Sequence, residues 1–172
     1  ANIMINQHNE PVVMDFGLVK MMQSDDEEEL SLLTATGTVM GTPHYMAPEQ
    51  AAGRKEIDPR TDVFALGIIL YEILAGVKPF TGNNVNEIFD AIFNVDPVAP
   101  SKIKPSLDWE IEAIILKALE KEPELRYQSA EEVKADLIRY INGETILAKK
   151  ISQLYYLKKR IKRHKVVFAL LT

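Results

Sequence analysis

The chain has 172 residues, 47% of them hydrophobic and 26% charged, which suits one globular domain or two small ones and excludes a disordered tail. It contains no cysteine, so a disulfide framework, a thiolate metal site and a thiol nucleophile are excluded. Its net charge of −5 and pI near 5.3 argue against nucleic acid as a partner.

Ile3-Met4-Ile5 and Val12-Val13-Met14 are short apolar runs separated by the polar stretch Asn6–Pro11, the pattern of two short strands joined by a tight connection. From Lys20 to Gly41 no helical or strand period survives, and the acidic run Asp25–Glu29 falls inside it. A surface loop of that length is disordered or functional. Thr61–Leu74 is apolar almost all round, which predicts a helix in the middle of a core; at about 20 Å it is too short to span a bilayer. Asp62 falls in its first turn, where a carboxylate accepts from free backbone N–H groups.

Pro79 and Gly82 break the chain, Asn86–Phe93 predicts a short helix, and the stretch holding Pro97, Pro100 and Pro105 reads as loop. Trp109–Leu119 carries apolar residues at Ile111, Ile114, Ile115, Ala118 and Leu119, close to helical spacing. Ser129-Ala130-Glu131-Glu132 is an S-x-x-E capping box, opening a helix that Asn142-Gly143 ends. A last helix is expected from Thr145 into the basic stretch. Between Lys149 and Lys165 lie eight basic residues and no acid, leaving 12 basic against 25 acidic residues elsewhere: a body of −13 with an end of +8. Such asymmetry points to an anionic partner at one end. The run Val166–Leu171 follows, and the pattern of basic residues before an apolar run fits the cytoplasmic flank of a transmembrane helix. With no Met at Ala1 and this apolar run at its end, the sequence reads as a piece of a longer protein.

Three motifs carry chemistry in order. Asp15-Phe16-Gly17 follows the second strand; Gly41-Thr42-Pro43-His44-Tyr45-Met46-Ala47-Pro48-Glu49 follows the loop; Asp62 to Gly67 lies on the buried helix, and Arg126 comes after a proline-containing link. An Asp at a strand end followed by Phe-Gly offers a carboxylate to a cleft, an apolar anchor and a residue free to turn. A hard carboxylate oxygen there suits Mg²⁺.

This ordered set resembles the C-terminal lobe of eukaryotic-type protein serine/threonine kinases, close to bacterial receptor-type members, over roughly residues 2–141. The resemblance implies a mainly α fold with a short β-hairpin at its start and no N-terminal lobe. It implies ATP and Mg²⁺ as cofactors, with Asp15 and Asn2 as metal ligands, and Ser/Thr-bearing proteins as substrates. Thr42 takes a supporting catalytic role, the catalytic Asp lying upstream. Gly41, Pro43, Tyr45 and Met46 form the wall that meets the substrate residue after the acceptor. Thr34 and Thr36 are the phosphorylation sites of the activation loop, and His44 is expected to be exposed loop and not a general base. Phe16, Gly17, Glu49, Asp62 and Arg126 take structural roles, Glu49 pairing with Arg126 and Asp62 bonding the backbone of the catalytic loop.

The Gly-rich loop, the strand Lys and its Glu partner are not in this sequence, so the chain is expected to be inactive without its N-terminal lobe. A pseudokinase or adaptor lobe serving as a docking surface is the competing reading. The expected organisation is a partial kinase domain over 1–141, a basic juxtamembrane helix or linker over 142–165, and the start of a transmembrane helix over 166–172. That places the kinase at the inner face of a membrane.

Overall fold

The computed structural model describes residues 3–13, 43–54 and 57–148, which fall into two separate units, one ending at Gly41 and the other beginning at Thr42. In the first unit, β1 (Ile3–Ile5) and β2 (Pro11–Val13) pair antiparallel, with Ile3 opposite Val13 and Ile5 opposite Pro11. The connection is built on Asn6. Its Oδ1 accepts from the backbone N–H groups of His8 and Glu10, both at 2.9 Å, the side-chain mimicry of a turn that Asn favours. Asn9 supplies the left-handed residue at φ 64°.

The second unit is helical: α1 (Pro48–Ala51), α2 (Arg60–Ala75), α3 (Val85–Asn94), α4 (Pro100–Ile103), α5 (Trp109–Ala118) and α6 (Ala130–Asn142), with single 3₁₀ turns at Pro43–Tyr45 and Pro123–Leu125. The central helix lies where its composition puts it. Val63, Phe64, Ile68 and Tyr71 of α2 are fully buried against α5, α6 and α4. Gly67 sets how closely α2 meets α5: a Cβ there would lie 2.9 Å from Ala118 Cβ and 3.0 Å from Leu119 Cδ2, so any larger residue would push the two helices apart. The apolar character of α2 on every face does not mean burial on every face, because Ile73 is 71% exposed near its end. Phe64 and Phe80 stack with centroids 5.9 Å apart, and the Lys121 ammonium sits 3.6 Å from the Phe80 ring centroid, a cation–π contact inside the core.

Four local expectations change. The proline stretch read as loop contains α4: Pro100 occupies its first position, where the missing N–H costs nothing. The next N–H, Ser101, donates to Glu112 of α5 at 2.8 Å. The S-x-x-E box at α6 is half formed. Ser129 accepts from Glu132 N–H at 3.3 Å, but the Glu132 carboxylate reaches one residue further back, to Gln128 N–H at 2.9 Å. Gly143, at φ 71°, ends α6 as expected. No helix begins at Thr145, because the chain from 144 to 148 is a non-helical strap with Ile146 and Ala148 buried. Finally, the first turn of α2 is capped from outside: Asp58 Oδ1 accepts from Arg60 N–H at 2.8 Å, whereas Asp62 is exposed and makes no capping bond.

Candidate functional site

The site grows from a buried ion pair between residues 77 positions apart. Pro48 opens α1 and places Glu49 in its first turn, while Gln50 Oε1 accepts from Ala47 N–H at 3.0 Å and fixes the entry of the helix. Arg126 meets Glu49 with both terminal nitrogens, Nη1 to Oε1 at 2.6 Å and Nη2 to Oε2 at 2.7 Å. Its remaining donors go to the carbonyls of Glu120 (2.7 Å), Arg60 (3.0 Å) and Lys121 (3.0 Å), so the five N–H groups of the guanidinium are all used. The Thr61 hydroxyl donates to Glu49 Oε1 at 3.0 Å, and the guanidinium lies 4.9 Å from the Phe64 ring centroid. Burial alone would raise the Glu49 pKa. The Arg126 hydrogen bonds, the residue's own backbone N–H and the guanidinium charge outweigh it, and the carboxyl is held below its ordinary value. A bidentate pair with every donor satisfied is the geometry in which a buried charge is tolerated.

Glu49 thus anchors the end of the segment that carries Pro43, His44, Tyr45 and Met46. These four are half-buried, Pro43–Tyr45 forming a 3₁₀ turn with Met46 N–H bonded to Pro43 O at 3.2 Å. The Tyr45 hydroxyl donates to Glu72 Oε2 on α2 at 2.6 Å, and the Lys78 ammonium lies 5.5 Å from the Tyr45 ring centroid. The Glu72 hydrogen bond, with burial and the carboxylate charge, pushes the Tyr45 pKa up to about 12. His44 is not the exposed loop residue expected: its Nδ1 is buried with no partner among the described residues. Burial and the Lys78 charge lower its pKa against the opposing pull of Glu72, so it is a neutral imidazole near pH 7.

Sequence reasoning missed Glu72, Lys78 and Thr61. The signal for Glu72 was present: a lone carboxylate in an otherwise apolar run of α2 requires a partner. Of the other residues singled out, Asn2, Asp15, Phe16, Gly17, Thr34, Thr36, Gly41 and Thr42 lie outside the described residues, as do residues 149–172. Among the described residues, no helix is long and apolar enough to cross a membrane.

The family model of the protein kinase domain matches residues 1–138. The chain is 42% identical over 151 residues to serine/threonine-protein kinase PknB of Mycobacterium tuberculosis, an alignment covering 88% of this chain and 23% of that protein. It is 41% identical over 151 residues to PknB of Mycobacterium leprae, with the same coverage. It is also 41% identical over 131 residues to tyrosine-protein kinase MasK of Myxococcus xanthus, covering 76% of this chain and 19% of that protein. The chain therefore spans about a quarter or less of the length of these curated relatives. With the mainly helical lobe, the short hairpin before it and a match over most of its length, the chain belongs to the protein kinase domain family.

Proposed function

We propose that this chain is the C-terminal part of an active protein serine/threonine kinase, transferring the γ-phosphate of ATP to Ser or Thr hydroxyls of proteins when joined to an N-terminal half. The observation that carries the reading is the fully satisfied Glu49–Arg126 pair. It anchors the segment after Thr42, so that Pro43, Tyr45 and Met46 present a formed wall to an incoming peptide. A lobe kept only as a passive surface has no need of Asp15 in an Asp-Phe-Gly motif.

The carboxylate of Asp15 and the amide oxygen of Asn2 are hard oxygen donors of the kind Mg²⁺ takes. Bound with ATP, the ion would neutralise charge developing on the transferred phosphoryl group. Thr42 orients the acceptor side of the site, and Gly41 leaves room for the substrate backbone. Thr34 and Thr36 are the loop residues that take phosphate themselves, whose added charge engages basic side chains and orders the loop. The +8 run from Lys149 to Lys165 holds the kinase at the inner, anionic face of a membrane.

The relatives' names divide between serine/threonine and tyrosine kinases, so the acceptor is the point to test. The complete domain is incubated with labelled ATP–Mg²⁺ and a protein substrate, and the phosphoamino acids are separated. Phosphoserine and phosphothreonine are expected, with loop phosphate on Thr34 or Thr36. Phosphotyrosine alone, or no transfer by a folded domain, overturns the proposal.

A further inference from the structure

Thr61 is buried in the first turn of α2 and directs its hydroxyl away from its own helix. A helical Thr can return that hydroxyl to a carbonyl three or four residues back. Here it donates to Glu49 Oε1 at 3.0 Å, 12 residues away in sequence and on another helix. A buried hydroxyl is costly unless bonded, so packing alone would favour an apolar residue at this position. The carboxylate it meets accounts for the oxygen. Arg126 supplies Glu49 with two further hydrogen bonds, Nη1 to Oε1 at 2.6 Å and Nη2 to Oε2 at 2.7 Å. Those two tie Glu49 to the link after the 3₁₀ turn at Pro123–Leu125. Thr61 ties it directly to α2, whose Val63, Phe64 and Ile68 are wholly buried. The Tyr45 hydroxyl meets Glu72 of the same helix at 2.6 Å, about 16 Å further along at 1.5 Å per residue. The stretch from Tyr45 to Glu49 is thereby fastened to the central helix at both its ends.

We propose that Thr61 is a positioning residue for the peptide substrate: its hydroxyl holds Glu49, and with it the Pro43–Met46 wall, in place against α2. The proposal rests on the kinase reading of that wall and adds the residue that keeps it formed. The two bonds from Arg126 answer the charge of Glu49. The bond from Thr61 answers no charge and sets where the carboxylate sits relative to the central helix. Its removal leaves the ion pair made and the wall looser, and a looser wall must be ordered when a peptide binds. Peptide binding is weakened, and the transfer step is not.

The test is Thr61→Val, which keeps shape and burial and removes the hydroxyl, beside Thr61→Ser, which keeps the hydroxyl. The smaller Thr61→Ala is carried alongside and is expected to behave as Thr61→Val. In the complete kinase domain, Thr61→Val is expected to raise KM for a peptide substrate about fivefold, the worth of one hydrogen bond. Its kcat and KM for ATP are expected to stay, the signature of lost binding common to ground and transition states. Thr61→Ser is expected to match the parent. In the 172-residue chain, the Met46 amide, bonded to Pro43 O at 3.2 Å, is expected to exchange faster in Thr61→Val, whether or not that chain transfers phosphate. A folded parent domain with no transfer overturns the kinase reading and this role in binding with it. An active parent and a Thr61→Val variant of equal peptide KM overturn the role of Thr61 alone. So does a melting temperature that falls while peptide KM and Met46 exchange stay put, which would make Thr61 a packing residue. Thr61→Ser behaving like Thr61→Val also overturns it, by assigning the effect to shape and not to the hydroxyl.

Discussion

Glu49 and Asp136, two buried carboxylates of the helical unit, are satisfied in opposite ways. Glu49 faces a full countercharge, a guanidinium whose side chain is wholly buried, and joins segments 77 residues apart. Asp136 is wholly buried too, yet its cation among the described residues is the partly exposed Arg139; two backbone N–H groups, of Leu147 and Ala148, and the Tyr127 phenol do the rest, all within 12 residues in sequence. Both sets of partners depress the carboxyl pKa against a burial effect that raises it. The difference is one of reach. The ion pair closes a long loop and so ties the end of the Pro43–Met46 segment to the residues just before α6. The Asp136 cluster fastens a short strap to its own helix, and its loss should be felt locally.

The largest expected effect follows from removing the cation of the first pair. Arg126→Ala leaves Glu49 buried without its partner and should lower stability by about 3–5 kcal/mol in urea unfolding. Replacing both residues by apolar ones of similar size, Glu49→Leu with Arg126→Met, should cost less than the single change. A single-variant loss below about 1 kcal/mol would mean that Glu49 is not held as described.

Asp136→Asn keeps one acceptor and brings an amide donor against donors, so a loss of about 2–3 kcal/mol is expected. Hydrogen exchange separates the two carboxylates: Leu147 and Ala148 amides should lose protection in Asp136→Asn, while Arg126→Ala should leave them protected relative to global unfolding. Strap amides that stay protected in Asp136→Asn would break the comparison.

The pH dependence sharpens it further. Glu49 and Asp136 both titrate below their ordinary values of 4.5 and 3.8. Their contribution to stability is therefore complete above those values and is lost as pH falls through the lower folded-state pKa values, where the unfolded chain binds more protons. Stability should drop steeply below about pH 4, and Asp136→Asn should flatten that limb by removing one of the two groups. An acid limb of equal slope in the variant would show that Asp136 carries no depressed pKa. The smallest effect is expected at Tyr45→Phe, which removes the 2.6 Å bond to Glu72 and should cost about 1 kcal/mol in a thermal melt. No change would show that Glu72 takes another partner.

The two nodes also mark what was legible in the sequence. Glu49 and Arg126 stand out because each lies in a recognisable motif, although nothing in their spacing brings residues so far apart together. The long helices were legible for an ordinary reason: α2 and α5 carry dense apolar patterns, and α6 has a cap at each end. Asp136 sits in an amphipathic helix among Glu and Lys residues and looks like one more solvated charge. Its burial depends on donors from the strap, which has no period of its own to announce it. α4 was hidden in the same way, since Glu112 supplies its first N–H with a partner from another helix. Asp62 attracted attention as a capping residue because the pattern starts beside it, while Asp58 before Pro59 takes the role.

In the proposed kinase, Asp15 acts in chemistry and Glu49–Arg126 in architecture. One measurement separates these: turnover and melting temperature recorded together for the complete kinase domain carrying Asp15→Asn or Arg126→Ala. Asp15→Asn should abolish phosphate transfer at an unchanged melting temperature, and Arg126→Ala should lower the melting temperature. Retained turnover in Asp15→Asn, or a melting temperature unmoved by Arg126→Ala, would contradict the account.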